Sequence, residues 1–318
     1  MILLTGGAGF IGSNILAACN ARGRDDVIVV DDLRDGAKCA NLAGRAFADY
    51  LDVDELLDGL DGLPRLTAVI HQGACVDTTA RDGRAVMQAN YTFSKRMLAL
   101  ARRHGCPLVY ASSAAVYGDG GAGFREEQAC ERALTPYAFS KWAFDQFIRR
   151  ELVAGRAGDV AIVGLRYFNV YGPGEAHKGR MASVAWHAFQ AARRGEPPQL
   201  FAGSDGFVRD FIAVADVAAV NLFFLDEAAA GRNHSGIYNV GTGAPRSFGD
   251  LGRIVAAVTG GPAPVTIPFP DDLRGQYQAY TCADVSRLRA AGWTRPFTSL
   301  EDGIAAYWKA LGGRMTGG

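Results

Sequence analysis

The feature that most constrains this chain is its opening, Met1-Ile2-Leu3-Leu4-Thr5-Gly6-Gly7-Ala8-Gly9-Phe10-Ile11-Gly12. Ile2 to Leu4 reads as a short buried strand. Gly6, Gly9 and Gly12 follow at three-residue spacing, and Phe10, Ile11, Ile15 and Leu16 begin an apolar helical face. Glycines so placed allow a tight turn and a close approach of backbone to pyrophosphate, and a helix N-terminus offers free N–H groups and a partial positive charge. Glycine turns are common, so the triplet alone is weak. Asp31 strengthens it, because it ends a second apolar run, Val27 to Val30, about twenty residues on, where a ribose hydroxyl would be held. The opening favours a dinucleotide site over a purely structural turn.

Strand and helix patterns alternate after it. Val27 to Val30, Arg45 to Ala48, Ala68 to His71, Leu108 to Ala111 and Ala161 to Tyr167 read as strands; Arg81 to Arg103 and Tyr137 to Leu152 read as helices. Such alternation predicts an α/β fold, a doubly wound parallel (Rossmann-like) sheet covered on both faces. After Tyr167 the pattern loosens at Gly172-Pro173-Gly174, Pro197-Pro198 and Gly203 to Gly206. Helices fit Met181 to Arg194, Asp216 to Asp226, Ser247 to Thr259 and Leu300 to Leu311, and Ile237 to Val240 fits a strand returning to the sheet. The expected division is a dinucleotide-binding domain of residues 1–167 plus about 211–243, and a smaller, discontinuous α/β substrate domain of about 168–210 plus 244–318.

Composition narrows the partners. The 318 residues carry 33 Lys plus Arg against 33 Asp plus Glu, so no charge excess suggests a nucleic acid or a membrane surface. No apolar stretch reaches the roughly 18 residues that span a bilayer. The cysteines, Cys19, Cys39, Cys75, Cys106, Cys130 and Cys282, form no C-x-x-C pair; no metal site is indicated, and scattered single thiols fit a reducing compartment. A cytoplasmic location is the expectation.

The chemistry centres on Tyr137-Ala138-Phe139-Ser140-Lys141. Positions i and i+4 share a helical face, so phenol and ammonium can point the same way. A free tyrosine is a poor base at neutral pH, and a neighbouring cation favours its phenolate. Alone, the pentad reads better as a routine Tyr–Lys pair on a surface helix. Its context is Leu108-Val109-Tyr110-Ala111-Ser112-Ser113, a strand ending in two hydroxyls, and carboxyl ends of parallel strands are where such folds place their sites.

Gly6-x-x-Gly9-x-x-Gly12, the set Ser113, Tyr137 and Lys141, and Arg166 to Pro173 together resemble the extended short-chain dehydrogenase/reductases that modify nucleotide sugars, almost end to end. Within them the chain looks most like the ADP-L-glycero-D-manno-heptose 6-epimerases. The words that carry this are His177-Lys178-Gly179, Met181 to Ala185, Leu200 to Ser204, Arg209-Asp210-Phe211 and Gly275 to Ala279. The resemblance implies Tyr137 and Lys178 as acid/base groups on opposite sides of the sugar, Ser113 on the substrate oxygen and Lys141 on the nicotinamide ribose. It implies cofactor contacts from Gly6, Gly9, Phe10, Ile11, Gly12, Asp31, Asp32 and Lys38, then from Gln72, Gly73, Ala74, Cys75, Val76, Asn90, Val170 and Lys178. Asn169, Arg180, His187, Phe201, Ala202, Gly203, Ser204, Arg209 and Tyr277 would line the ADP-heptose pocket. Arg209 suits a pyrophosphate fork, against a plain pair with Asp210. A homo-oligomer is also implied.

Two positions depart from the family pattern. Arg180 stands where relatives have a small residue, and Val53 where they often have lysine. The family favours NADP, with Lys38 and Arg34 able to attract a 2′-phosphate; Asp31 would repel one, so NAD stays open. The implied reaction oxidises C6 of the heptose to a ketone and returns the hydride to the other face, since C6 is not acidic. A UDP-sugar 4-epimerase is the nearest alternative. A 4,6-dehydratase is disfavoured because Ala114-Ala115 follow Ser113 where relatives have an Asp-Glu pair, and a non-catalytic cofactor sensor because the Tyr/Lys pair is kept.

Overall fold

The computed structural model of the chain describes residues 1–77, 80–156, 158, 160–269 and 279–313. Its strands are β1 (Ile2–Thr5), β2 (Val27–Asp31), β3 (Asp49–Asp52), β4 (Ala68–His71), β5 (Leu108–Ser113), β6 (Ile162–Tyr167), β7 (Asn169–Tyr171), β8 (Gln199–Phe201), β9 (Val208–Arg209), β10 (Phe211–Ala213), β11 (Gly236–Val240), β12 (Arg246–Ser247) and β13 (Val265–Ile267). The helices are α1 (Phe10–Asn20), α2 (Cys39–Leu42), α3 (Val53–Asp58), α4 (Gly83–Met87), α5 (Phe93–His104), α6 (Pro136–Val153), α7 (Val184–Arg193), α8 (Val214–Ala229), α9 (Phe248–Thr259), α10 (Ser286–Ala290) and α11 (Leu300–Ala310).

Seven strands form one parallel sheet in the order β11-β6-β5-β4-β1-β2-β3. The chain runs outward from β1 to β3, then returns to β4 on the other side of β1 and runs outward again. The switch point lies between β1 and β4, where open α/β sheets hold ligands beyond the carboxyl ends of their strands. Both faces of the sheet are covered. Leu4, Val29 and Ile70 pack with Ile15 and Leu16 of α1 and with Val217 and Phe224 of α8. Leu3, Ile28 and Val69 face Met97 and Leu98 of α5 and Phe144 and Ile148 of α6. Burial on both faces is why these strands read as continuous apolar runs.

A second core joins α7, α9 and α11 through Phe189, Leu251, Val255, Ile304, Tyr307 and Trp308. Three short strand pairs, β7 with β10, β8 with β13 and β9 with β12, lie outside the main sheet. Ile237 to Val240 does return to the main sheet, paired with β6.

Two readings of the sequence need correction. The third strand is not Arg45 to Ala48 but Asp49–Asp52, paired with Ile28 to Asp31. It is the sheet's edge, with Asp49 exposed and Tyr50, Leu51 and Asp52 half-buried, and acids at both its ends leave no apolar run to mark it. The helix expected from Arg81 to Arg103 starts at Gly83 and is interrupted by a π-helical turn, Gln88–Thr92. Such turns displace a side chain from the regular ladder. Here the turn carries Asn90, whose amide bonds both backbone groups of Cys75, at 2.7 and 3.1 Å.

Candidate active site

A cleft of about 520 Å³ opens at the switch point. One wall is the glycine turn. Gly6 has a φ of +69°, and a Cβ there would come within 2.6 Å of the Gly73 backbone nitrogen. A Cβ on Gly12 would fall on the Gly6 carbonyl oxygen. Gly6 and Gly12 thus let β1, α1 and the segment after β4 pack backbone to backbone. Gly9 caps α1 without any side chain, no acidic residue occupies the first turn, and the first intrahelical bond is donated by Ser13 to Gly9. The N–H groups of Phe10, Ile11 and Gly12 therefore stand at a bare helix N-terminus on the cleft wall, which suits a pyrophosphate.

Asp31, at the end of β2, is only 5% exposed. Its Oδ2 accepts from the N–H groups of Ala8 (2.8 Å) and Gly9 (3.1 Å), and its Oδ1 from Asp32 N–H (2.7 Å) and Lys38 Nζ (3.0 Å). Lys38 also donates to the Asp32 carbonyl. Arg34 is drawn to the Asp32 carboxylate, which it holds well below the usual carboxylate range, at about 2. Gln72, Gly73, Ala74 and Val76 line the cleft beyond Asp31 and Lys38. Cys75 and buried Asn90 stand behind that lining: Asn90 spends its remaining N–H on Ser140 Oγ (2.9 Å) and so ties the segment after β4 to α6. These residues fit a nicotinamide dinucleotide.

The middle of the cleft holds Ser113, Tyr137 and Lys141. Thr135 caps α6 by accepting from Ala138 N–H, and Pro136 occupies its first turn, so Tyr137 sits at the helix start with Lys141 one turn on. Lys141 Nζ donates to the carbonyl of Ala111 on β5 (2.9 Å). Burial pulls the ammonium down to about 8, against the opposing charge of Asp145. Burial pushes the Tyr137 phenol up, and its hydrogen bond with Ser113 opposes this. Without ligand, then, the phenol is a proton donor, and lowering it requires positive charge brought into the cleft.

Asn169, Val170, His177 and Lys178 line the cleft further along. Lys178 rides on the turn Ala176–Met181, whose bend is made by Gly179 at φ +52°. Its Nζ lies 5.1 Å from the centre of the Phe10 ring and 4.0 Å from the Glu175 carboxylate, and burial lowers its pKa. The turn is clasped to the nucleotide side by Asn14, which donates to the Pro173 carbonyl (2.8 Å), and by Asn41, which donates to the carbonyls of Ala8 (2.9 Å) and Gly174 (3.0 Å).

Other expected substrate residues are not on the cleft wall. Arg180 and His187 are exposed on the turn and on α7. Phe201 packs against Phe269, and Ala202 and Gly203 are exposed beside Ser204 in the turn after β8. Arg209 is buried behind the wall, its guanidinium 5.5 Å from the ring of Phe248, which does line the cleft. Asp210 accepts from Thr242 N–H and Oγ, Gly243 N–H and Ala283 N–H. Tyr277 lies outside the described residues. Among the described residues no group of three His, Cys, Asp or Glu could hold a metal ion, and no helix is long and apolar enough to cross a membrane.

Several supporting residues escaped the sequence reading. Beneath Ser112, Asp145 accepts from Tyr110 OH, Ser112 Oγ and Arg166 Nε, each at 2.9 Å, and Arg166 also pairs with Glu131. His71 bridges Thr5 Oγ (2.6 Å) and Ser94 Oγ (2.9 Å), and burial holds it neutral, near 3. Only the Lys141-to-Asp145 helical spacing was available as a signal.

Comparison with known proteins agrees with this geometry. Residues 2–241 match the NAD dependent epimerase/dehydratase family. The structure of Helicobacter pylori ADP-L-glycero-D-manno-heptose-6-epimerase superposes with a TM-score of 0.82 at 30% identity, over 98% of this chain and 96% of that one. UDP-glucose 4-epimerase from Thermus thermophilus, solved with NAD, gives 0.77 at 31% identity over 99% of both chains. The Thermotoga maritima UDP-glucose 4-epimerase, solved with UDP-glucose, gives 0.82 at 27% identity over 98% of both. With a cleft at the switch point that fits a dinucleotide, a Ser113/Tyr137/Lys141 set inside it and a family match over residues 2–241, the chain belongs to the NAD dependent epimerase/dehydratase family.

Proposed function

We propose that the protein inverts C6 of ADP-D-glycero-D-manno-heptose to give the L-glycero epimer, a heptose donor for lipopolysaccharide core. The observation that supports this most is Lys178, a second proton-transfer group in the cleft that holds Tyr137, carried by a different element. Bound dinucleotide supplies a hydride acceptor and donor, so the reaction needs no net redox partner. The chain's own residues handle the oxygen. Inversion presents that oxygen in two orientations, and each needs a group to take or give its proton. Tyr137, aided by the Ser113 hydroxyl, serves one orientation and Lys178 the other. Lys141, fixed by the Ala111 carbonyl, keeps further N–H donors for the cofactor's ribose.

NAD is the cofactor this geometry favours, a change from the NADP expected on family likeness. The Lys38 charge is committed to Asp31 and the Asp32 carbonyl, and Arg34 to Asp32, so a 2′-phosphate would meet a buried carboxylate. The NAD-bound T. thermophilus relative supports the same choice. A UDP-sugar 4-epimerase is the second reading, favoured by that relative's similar identity. The test compares Lys178→Met and Tyr137→Phe with the parent on ADP-heptose and on UDP-glucose. Each variant should lose about a hundred- to ten-thousand-fold in heptose epimerisation. Parent-like turnover by Lys178→Met would remove the heptose reading.

A further inference from the structure

Glu175 has no solvent exposure, yet it is placed by no feature of the reaction described so far. It begins the turn that carries Lys178. Its Oε2 accepts from Ser183 N–H (2.6 Å) and lies 4.0 Å from Lys178 Nζ. Its Oε1 accepts from Ser183 Oγ (2.6 Å) and Tyr307 OH (3.1 Å). Ser183 is also the cap of α7, accepting from Trp186 N–H, and Tyr307 belongs to α11. One buried carboxylate thus joins the turn, the start of α7 and the face of α11. Its hydrogen bonds come from neutral donors, and a buried carboxylate without a cation is costly.

We infer that Glu175 is the positioning residue for Lys178: its charge holds the ammonium at the cleft wall and sets the pH at which that lysine gives up its proton. The inference rests on the reading of Lys178 as the second acid/base group. The sign is fixed by the surroundings. Burial lowers Lys178, and Glu175 opposes that. Across from it α1 presents the uncharged ring of Phe10. The neighbouring His177 is itself lowered by burial and by Lys38, with Asp35 opposing, so it is neutral near pH 7. Asp31 and Lys38, on the same wall, are paired with each other. Glu175 is therefore the carboxylate beside Lys178 whose charge opposes the lowering that burial imposes on the ammonium.

The chain has only five lysines, Lys38, Lys95, Lys141, Lys178 and Lys309, so their titrations can be followed individually. The experiment is reductive methylation with ¹³C-formaldehyde, followed by NMR titration of the full chain, with the Lys178 signal assigned by its loss in Lys178→Met. Glu175→Gln keeps one acceptor oxygen, for Ser183 N–H, turns the other position into an amide donor and removes the charge. The Lys178 titration should fall by on the order of one pH unit or more, as an opposite charge within 4–6 Å would dictate. Tyr307→Phe removes a neutral donor and keeps the charge, so Lys178 should titrate as in the parent. A purely structural Glu175 would make the two variants alike. If Glu175→Gln does not fold, Glu175→Asp draws the charge back by one methylene and should give a smaller fall. An unmoved Lys178 signal in the folded variant overturns the inference. In kinetics, the limb of the kcat profile that reports Lys178 should move to lower pH in Glu175→Gln. Failure of the acid/base reading shows differently, as full epimerisation by Lys178→Met with the NMR shift still present.

Discussion

Lys38 Nζ lies 3.0 Å from Asp31 Oδ1, so the cation expected to seek a 2′-phosphate is instead bound to the carboxylate expected to hold a ribose. NAD should therefore be the nucleotide released on denaturing the purified protein, read by mass spectrometry. Asp31→Ala should weaken NAD roughly ten- to a hundredfold, the scale of a hydrogen bond to a charged group. Predominant NADP in the released pool would refute the assignment.

Gly12 and Gly9 should respond differently to alanine. At Gly12 the new methyl meets the Gly6 carbonyl oxygen, which can move only with β1; at Gly9 it meets that same atom at 3.1 Å and nothing else within 4 Å. Overpacking costs about 1–3 kcal/mol where the surroundings can shift. Gly12→Ala should equal or exceed that range in urea unfolding. Gly9→Ala should remain folded and lose dinucleotide affinity, measured by calorimetry.

Lys141 makes stability depend on pH in a definite sense. Its folded pKa is about 8, below the ordinary 10.5, so the unfolded chain binds its proton more readily. Between about pH 8 and 10.5 the ligand-free protein should gain stability from this group as pH rises, and below pH 8 the contribution should be flat. The difference in Tm between the parent and Lys141→Met, followed across that window, checks it. A difference independent of pH would show that burial is not what holds the lysine down.

Arg166 is fully buried between Asp145 and Glu131, at 2.9 and 2.5 Å. Removing one partner of a buried ion pair leaves uncompensated charge and typically costs about 3–5 kcal/mol. Arg166→Met should cost at least that in chemical unfolding, and because Asp145 also holds Ser112, beside Ser113, activity should fall in whatever fraction stays folded.

What the sequence showed and what it hid follow from where each residue sits. Ile2 to Leu4, Val27 to Val30 and Ala68 to His71 were legible because strands buried on both faces must be apolar throughout. Asp49–Asp52 was not, because an edge strand has no such requirement. Tyr137 and Lys141 were legible only once the strand-end hydroxyls of Ser112 and Ser113 and the family likeness stood beside their helical spacing, and Gly6, Gly9 and Gly12 through backbone demand. Glu175 and Asp145 were not, since a lone carboxylate in a sequence reads as solvated. Their partners come from distant elements: Tyr307 lies 132 residues beyond Glu175. Lys178 was singled out only through family likeness, and Phe201 to Ser204 and Arg209, singled out the same way, lie off the cleft wall.

C6 inversion by hydride return is tested in one NMR experiment: the protein with ADP-D-glycero-D-manno-heptose in deuterated water, and in parallel with UDP-glucose. Conversion to the L-glycero epimer with protium retained at C6 is expected, with no comparable conversion of UDP-glucose. Stoichiometric deuterium at C6 would contradict hydride return, and turnover of UDP-glucose with none of ADP-heptose would contradict the substrate.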